Sequence, residues 1–327
     1  MPTAPLFARG GTLVQHHSLQ SGTVNNLLSV CNSKYFYIER NIKKMNNIIC
    51  PDLKDKVVVI TGGGGIICST MAKAVAECGA KVAIIDLNGG SAERVAAEIK
   101  EKGGNAIGYS ANVLDTESLK KVHSKILKEL GTCDILINGA GGNNPKATTT
   151  KDYFCPEDMA NEDVKTFFDL DAGGVEFVFN LNFLGTLIPT QVFAKDLMLK
   201  KEASIINISS MNAFTPLTRI PAYSGAKAAI SNFTQWLAVH FSKTNIRVNA
   251  IAPGFFLTLQ NKALLTNEDG SYTDRSKKIL SQTPMNRFGA PEELIGALLF
   301  LISNEASGFV NGIVLPVDGG FSAYSGV

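Results

Sequence analysis

Lys56-Val57-Val58-Val59-Ile60-Thr61-Gly62-Gly63-Gly64-Gly65 is the stretch that decides the fold. Val57 to Thr61 are all β-branched and favour a buried strand. Four glycines follow at once, and then the helical stretch Ser69 to Cys78. A strand, a glycine turn and a helix N-terminus form a phosphate cradle, because free backbone N–H groups and the helix dipole point at an anion. The next apolar run, Lys81 to Ile85, ends in Asp86. An acidic residue about 20 positions beyond such glycines grips the ribose hydroxyls of a dinucleotide. A tight turn followed by a surface aspartate would look similar, but both features in order within one βαβ unit favour the nucleotide.

Working outward, hydrophobic runs and breakers predict strands near 56–61, 81–86, 105–110, 133–138, 203–209, 246–251 and 312–317. Helices are expected near 66–78, 90–102, 115–130, 173–200, 222–243 and 291–303. This alternation implies an α/β fold, a Rossmann-type doubly wound parallel sheet in a single domain. Its ligand crevice then lies at the C-terminal ends of the strands. The glycine turn, Asp86, Asn138, Ser210 and Pro253 all follow strands, so they gather along one edge.

The chemistry is suggested by Tyr223-Ser224-Gly225-Ala226-Lys227. Helix positions four apart share a face. A free tyrosine titrates near 10, too high for a good base at neutrality, and a lysine ammonium beside it would favour the phenolate. Ser210 ends the apolar run that starts at Ser204, which would present its hydroxyl at the same edge. Ser209 is the alternative serine, but it should face the other side of the strand. Taken alone, a Tyr–Lys pair is more often a half-buried ring beside a solvated amine.

With these motifs in place, the chain from about Leu53 onward resembles the short-chain dehydrogenase/reductase family. The resemblance implies a catalytic set of Asn182, Ser210, Tyr223 and Lys227. It also implies cofactor contacts from Gly62, Gly64, Gly65, Ile66, Asp86, Asn112, Val113, Asn138, Ala140, Gly141, Pro253, Gly254 and Thr258, with Tyr223 and Lys227. NAD is expected over NADP, since a 2′-phosphate would meet Asp86 with no arginine at Leu87 or Asn88. The family's glycine turn departs here in one respect. Its last two glycine positions hold Ile66 and Cys68, so the close packing of that glycine must tolerate a thiol.

Two segments break the rhythm. Gly142 to about Gly174 is longer than the family's usual connection and should overhang the site. Phe255 to Pro284 matches the family's substrate lid. The side chains expected near the pocket are polar: Asn143, Asn144, Asn212, Thr215, Arg219, Gln260 and Asn261. Amides and hydroxyls suit a polyol rather than a steroid, and a guanidinium such as Arg219 grips a carboxylate through two hydrogen bonds. Loop caps for the asparagines and a surface position for Arg219 are the competing readings. The stretches Asn138 to Pro145, Ser210 to Phe214 and Pro253 to Thr258 resemble the branch that interconverts D-mannonate and D-fructuronate. Leu259 stands where that branch leads one to expect a glutamate. The rivals are a dehydrogenase of another sugar acid such as gluconate and a nucleotide-binding protein without catalysis. A hydrolase is excluded for want of a Gly-x-Ser-x-Gly elbow.

Composition is that of a compact domain, 45% hydrophobic and 18% charged, and a net charge of +2 gives no reason to expect nucleic acid. The six cysteines lack C-x-x-C spacing and read as reduced, mostly buried thiols, which points to the cytoplasm. They form no metal set with the four histidines. No apolar run is expected to span a bilayer. Met1 to Cys50 is basic and acid-poor, and reads as a disordered leader or a mis-assigned start ahead of Met45, with targeting the alternative. Residues 51–327 then form the oxidoreductase domain. The resemblance implies a homotetramer acting on a small-molecule sugar acid.

Overall fold

The computed structural model describes residues 51–258 and 265–326. Seven parallel strands form one sheet: β1 (Val57–Thr61), β2 (Lys81–Asp86), β3 (Asn105–Ser110), β4 (Ile135–Asn138), β5 (Ala203–Ile208), β6 (Ile246–Pro253) and β7 (Val314–Val317). Their spatial order is β3-β2-β1-β4-β5-β6-β7. The order reverses between β1 and β4, where the register pairs Thr61 with Asn138. That reversal opens the crevice in a doubly wound sheet. The strands read as continuous apolar runs because helices cover both faces. One face buries Val58, Ile60, Val82 and Ile84, and the other buries Val59, Ile85, Leu136 and Ile205.

The helices are α1 (Ile66–Glu77), α2 (Gly89–Glu101), α3 (Thr116–Glu129), α4 (Ala172–Phe179), α5 (Gly185–Leu197), α6 (Pro221–His240), α7 (Asp274–Ser281), α8 (Ile295–Ile302) and the short α9 (Asn304–Ser307). A π-helical turn, Asn180–Leu184, joins α4 to α5. Such turns often sit at functional sites. The continuous helix Ala172–Leu197 is apolar and long enough, by those measures alone, to cross a membrane. This corrects the expectation that no run qualifies. Its C-terminal part packs on the sheet, where Val192, Phe193 and Leu197 are buried, whereas Phe177 and Phe179 are exposed.

Helix α7 lies in the segment expected to form the lid, where no helix was expected. It is a polar element capped by the Thr273 side chain, which accepts from Ser276 N–H, and it buries only Ser276 and Leu280. The long segment after β4 is tied down on two sides. Thr149 N–H donates to Arg219 O (3.0 Å), and the Arg219 Nε donates to Thr149 O (3.1 Å). Asp152 accepts from Thr218 (3.0 Å) and pairs with Lys278 of α7. Of the described cysteines, Cys68 and Cys133 are buried, Cys78 is half-buried and Cys155 is exposed, so the expectation of mostly buried thiols holds for only half of them.

Candidate active site

The glycine turn begins at Gly62, whose φ of 64° lies in the left-handed region that favours glycine. A Cβ there would also stand 2.8 Å from Ala140 N. Helix α1 starts with Gly65 as N-cap, with no side chain to cap it and no acid in its first turn. The N–H groups of Ile66 and Ile67 therefore have no partner within the helix, and with the dipole behind them they suit an anion. Asp86 ends β2 beside this turn. Its Oδ2 accepts Gly64 N–H (3.0 Å) and its Oδ1 accepts Asn88 N–H (2.9 Å). A carboxylate has about four lone-pair sites, so it retains acceptors for hydroxyl groups. This donor and acceptor set fits a dinucleotide with a free ribose 2′-hydroxyl.

The other predicted cofactor residues divide. Asn112 accepts Leu114 N–H (3.0 Å) and shapes the turn after β3, while Val113 packs over Gly185. Asn138 is held by side-chain bonds to its neighbours. Its side chain is buried and donates to Thr190 Oγ1 (3.0 Å) and Asn207 Oδ1 (2.9 Å), tying β4 to β5 and α5. Ala140 and Gly139 donate their N–H groups to Thr61 Oγ1 (3.3 and 3.1 Å). Pro253 ends β6, and Gly254 is pressed so close that a Cβ would lie 2.6 Å from Asp318 Cα. Thr258 is half-buried at the edge of the described segment, and Gln260 and Asn261 lie outside the described residues.

The four predicted catalytic residues converge at the ends of β4 and β5. Ser210 follows β5 in extended conformation and accepts Asn212 N–H (3.3 Å). Lys227 is buried, and its Nζ donates to Ile208 O (2.8 Å) and stands 5.5 Å from the centroid of the Tyr223 ring. Asn182 lies in the π-turn. Its Nδ2 donates to Gly142 O and Val178 O (both 2.7 Å), and its Oδ1 accepts Gly142 N–H (3.3 Å). Gly141 lets Asn182 and Lys227 meet: a Cβ there would fall 2.6 Å from Asn182 Oδ1 and 3.2 Å from Lys227 Nζ. Ser209 points away, bonded to Lys227 O (3.1 Å) and Ser231 (2.7 Å).

The electrostatics differ from the sequence expectation. Burial pushes the Tyr223 phenol up to about 12, and a hydrogen bond with Ser210 acts in the opposite sense. Burial draws Lys227 down to about 8. Without a ligand, desolvation opposes both charges more than their proximity favours them. The spacing in sequence puts the pair on one face but does not show that both are buried.

On the substrate side, Asn212 is 4% exposed and its Oδ1 has no hydrogen-bond partner. Asn144 is committed to the turn Pro145–Ala147, accepting Lys146 N–H (2.9 Å), and Asn143 donates to Thr148 (3.1 Å). Thr215 is exposed. Sequence reasoning missed Gly142 as the partner of Asn182 and Asp152 as the tie between the inserted segment and α7. Both depend on contacts far apart in the chain, and no local pattern signals them.

Among known proteins, the profile of the short chain dehydrogenase family matches residues 56–269. An uncharacterized oxidoreductase of Haemophilus influenzae is 62% identical over 283 residues, 86% of this chain and 99% of that protein. An uncharacterized oxidoreductase of Bacillus subtilis, UxuB, is 51% identical over 276 residues, 84% and 98% of the two chains. A crystal structure from Haemophilus influenzae, provisionally assigned as a D-mannonate oxidoreductase and holding NAD, superposes with a TM-score of 0.82 at 63% identity, covering 84% of this chain and 98% of that one. The chain belongs to the short-chain dehydrogenase family.

Proposed function

We propose that the protein is an NAD-dependent oxidoreductase of sugar acids that interconverts D-mannonate and D-fructuronate. The observation that carries a hydroxyl-rich substrate is Asn212: a buried amide oxygen without a partner, two residues from Ser210. An unsatisfied buried acceptor costs roughly 1–3 kcal/mol, which a substrate hydroxyl would relieve. Arg219, its Nε fixed by Thr149, keeps terminal nitrogens for the substrate carboxylate. The similarity to the NAD-holding Haemophilus protein supports both cofactor and substrate.

NAD is the cofactor, and its nicotinamide supplies the hydride acceptor or donor. The chain's own residues handle the proton and the substrate oxygen. Ser210 hydrogen-bonds that oxygen and steadies the charge that develops on it. Tyr223 takes the alcohol proton in oxidation and returns it in reduction. Lys227 stands against the Tyr223 ring, and its charge lowers the cost of the phenolate. Asn182 fixes the backbone of Gly142 and keeps a polar path beside Lys227. We place the enzyme in the cytoplasm as a homotetramer, and the exposed apolar side chains Trp236 and Val239 on α6 suit a subunit contact.

The test follows absorbance of the reduced nicotinamide with NADH and D-fructuronate, for the wild type and for Tyr223→Phe. Oxidation of NADH by the wild type, at least a thousandfold slower in the variant, is the expected result. A folded wild type that binds NADH but leaves D-fructuronate untouched would sink the substrate assignment.

A further inference from the structure

We infer that Cys68 and Gly139 are positioning residues that act as one fitted pair, setting the distance between the cofactor turn and the strand edge that backs the catalytic lysine. Gly139 follows β4, and Cys68 lies in the first turn of α1, so the contact joins segments far apart in the chain. A Cβ on Gly139 would lie 2.1 Å from Cys68 Sγ and 2.9 Å from Thr61 O. Carbon and sulfur do not approach so closely, so no side chain fits while the thiol is present. Gly62 is held in the left-handed region, whereas Gly139 has no such backbone requirement. Space is therefore what fixes glycine at 139, and the Cys68 thiol and the Thr61 carbonyl together take that space.

The thiol suits the position. Cys68 is buried, and burial pushes its titration up to about 12, so it stays neutral and packs as a small apolar group. What surrounds the pair gives it leverage. Thr61 Oγ1 holds the Gly139 and Ala140 N–H groups, and Gly62 packs on the same backbone. Two residues on, Gly141 lies against Asn182 and Lys227. Widening the Cys68–Gly139 contact must move either the first turn of α1, which carries the phosphate donors, or the Gly139–Gly141 segment beside Lys227. The inference rests on cofactor binding and not on which sugar acid is turned over.

Four full-length proteins test it: wild type, Gly139→Ala, Cys68→Ala and the double variant. NADH affinity is read by fluorescence titration without substrate, beside thermal unfolding and the KM for NADH against kcat. In the double variant the clash with the thiol is gone and the new methyl meets the Cβ at 68 at an ordinary 3.6 Å, which leaves the 2.9 Å approach to Thr61 O as the contact that must still give. Gly139→Ala should weaken NADH at least tenfold, chiefly through KM. Adding Cys68→Ala should recover part of that loss, so that a second substitution improves a damaged protein. If Gly139→Ala alone does not fold, recovery of folding and NADH binding in the double variant supports the pair equally. Wild-type affinity in Gly139→Ala, or a double variant as impaired as Gly139→Ala, overturns it. A merely structural role would shift unfolding while leaving NADH affinity of the folded protein unchanged, and that result also overturns it.

Discussion

Replacing Lys227 by Met should make the cofactor-free protein more stable at neutral pH while abolishing its activity. The magnitude follows from burial. A fall from 10.5 to about 8 means that the charged amine is disfavoured in the folded state. At about 1.4 kcal/mol per tenfold, that is a penalty of about 3 kcal/mol at pH 7. The sign follows from proton counts. Between about 8 and 10.5 the unfolded chain binds more protons than the folded one, so stability rises with pH across that window. Below it the penalty is fully present, and above it the penalty is gone. Methionine removes the charge but also the donor to Ile208 O, which offsets the gain by about 1–2 kcal/mol. The net expectation is a variant more stable by about 1–2 kcal/mol at pH 7, or a Tm higher by a few degrees. The advantage should vanish or reverse by pH 10.5. Urea unfolding of both proteins at pH 7, 9 and 10.5 measures it, and Tyr223 titrates in both, so it largely cancels. A variant less stable than wild type at pH 7, or a difference flat across the three pH values, would refute the reasoning.

Other consequences follow from individual contacts. Asp86→Ser removes the carboxylate beside the glycine turn, with its Gly64 contact and its acceptors for the ribose hydroxyls. The KM for NADH should rise tenfold or more, from about 1.5–3 kcal/mol for charged hydrogen bonds, while NADPH gains; an unchanged NADH-to-NADPH ratio would count against Asp86 as the discriminator. Asn212→Ala should raise the KM for a sugar acid about tenfold and leave NADH binding intact, as expected if the unpaired buried acceptor meets a substrate hydroxyl. Equal losses for the sugar acid and for a simple secondary alcohol would show instead that Asn212 only supports Ser210.

The central strands were legible because they are short runs rich in β-branched and apolar residues closed by a polar residue or glycine, with both faces of the sheet buried there. Helix α7 was not legible. Its eight residues, Asp274–Ser281, bury only Ser276 and Leu280, too few for a periodic apolar face. The π-turn at Asn180–Leu184 left no mark either, since an extra residue in a helix changes hydrogen bonding before it changes composition. Spacing placed Tyr223 and Lys227 together, and strand ends placed Ser210 beside them. For Asn138 the position after β4 is fixed by sequence, whereas the direction of its side chain is fixed by Thr190 and Asn207, far away in the chain. Cys68 stood out as a departure, but its meaning lies in a glycine on another strand, which no local window contains.

These features share a physical logic. The edge of a parallel sheet brings together two groups whose charged forms burial disfavours: a lysine drawn down to about 8 beside a phenol raised to about 12. Such a pair holds its geometry only if its surroundings do not yield. The rigid parts lie where that demand is greatest. Thr61, Gly62, Gly139 and Gly141 leave no room for a side chain to shift, and Asn182 binds the backbone of Gly142 and Val178 with three hydrogen bonds. On the substrate side the constraint relaxes, and Arg219 and Asp152 join the inserted segment to its neighbours through polar contacts that are partly exposed. Exposed ion pairs contribute about 0–1 kcal/mol, so this half can rearrange at little cost. Change in substrate preference should therefore arise from Asn212, Arg219 and the inserted segment, whereas change around Gly139 should cost the cofactor first.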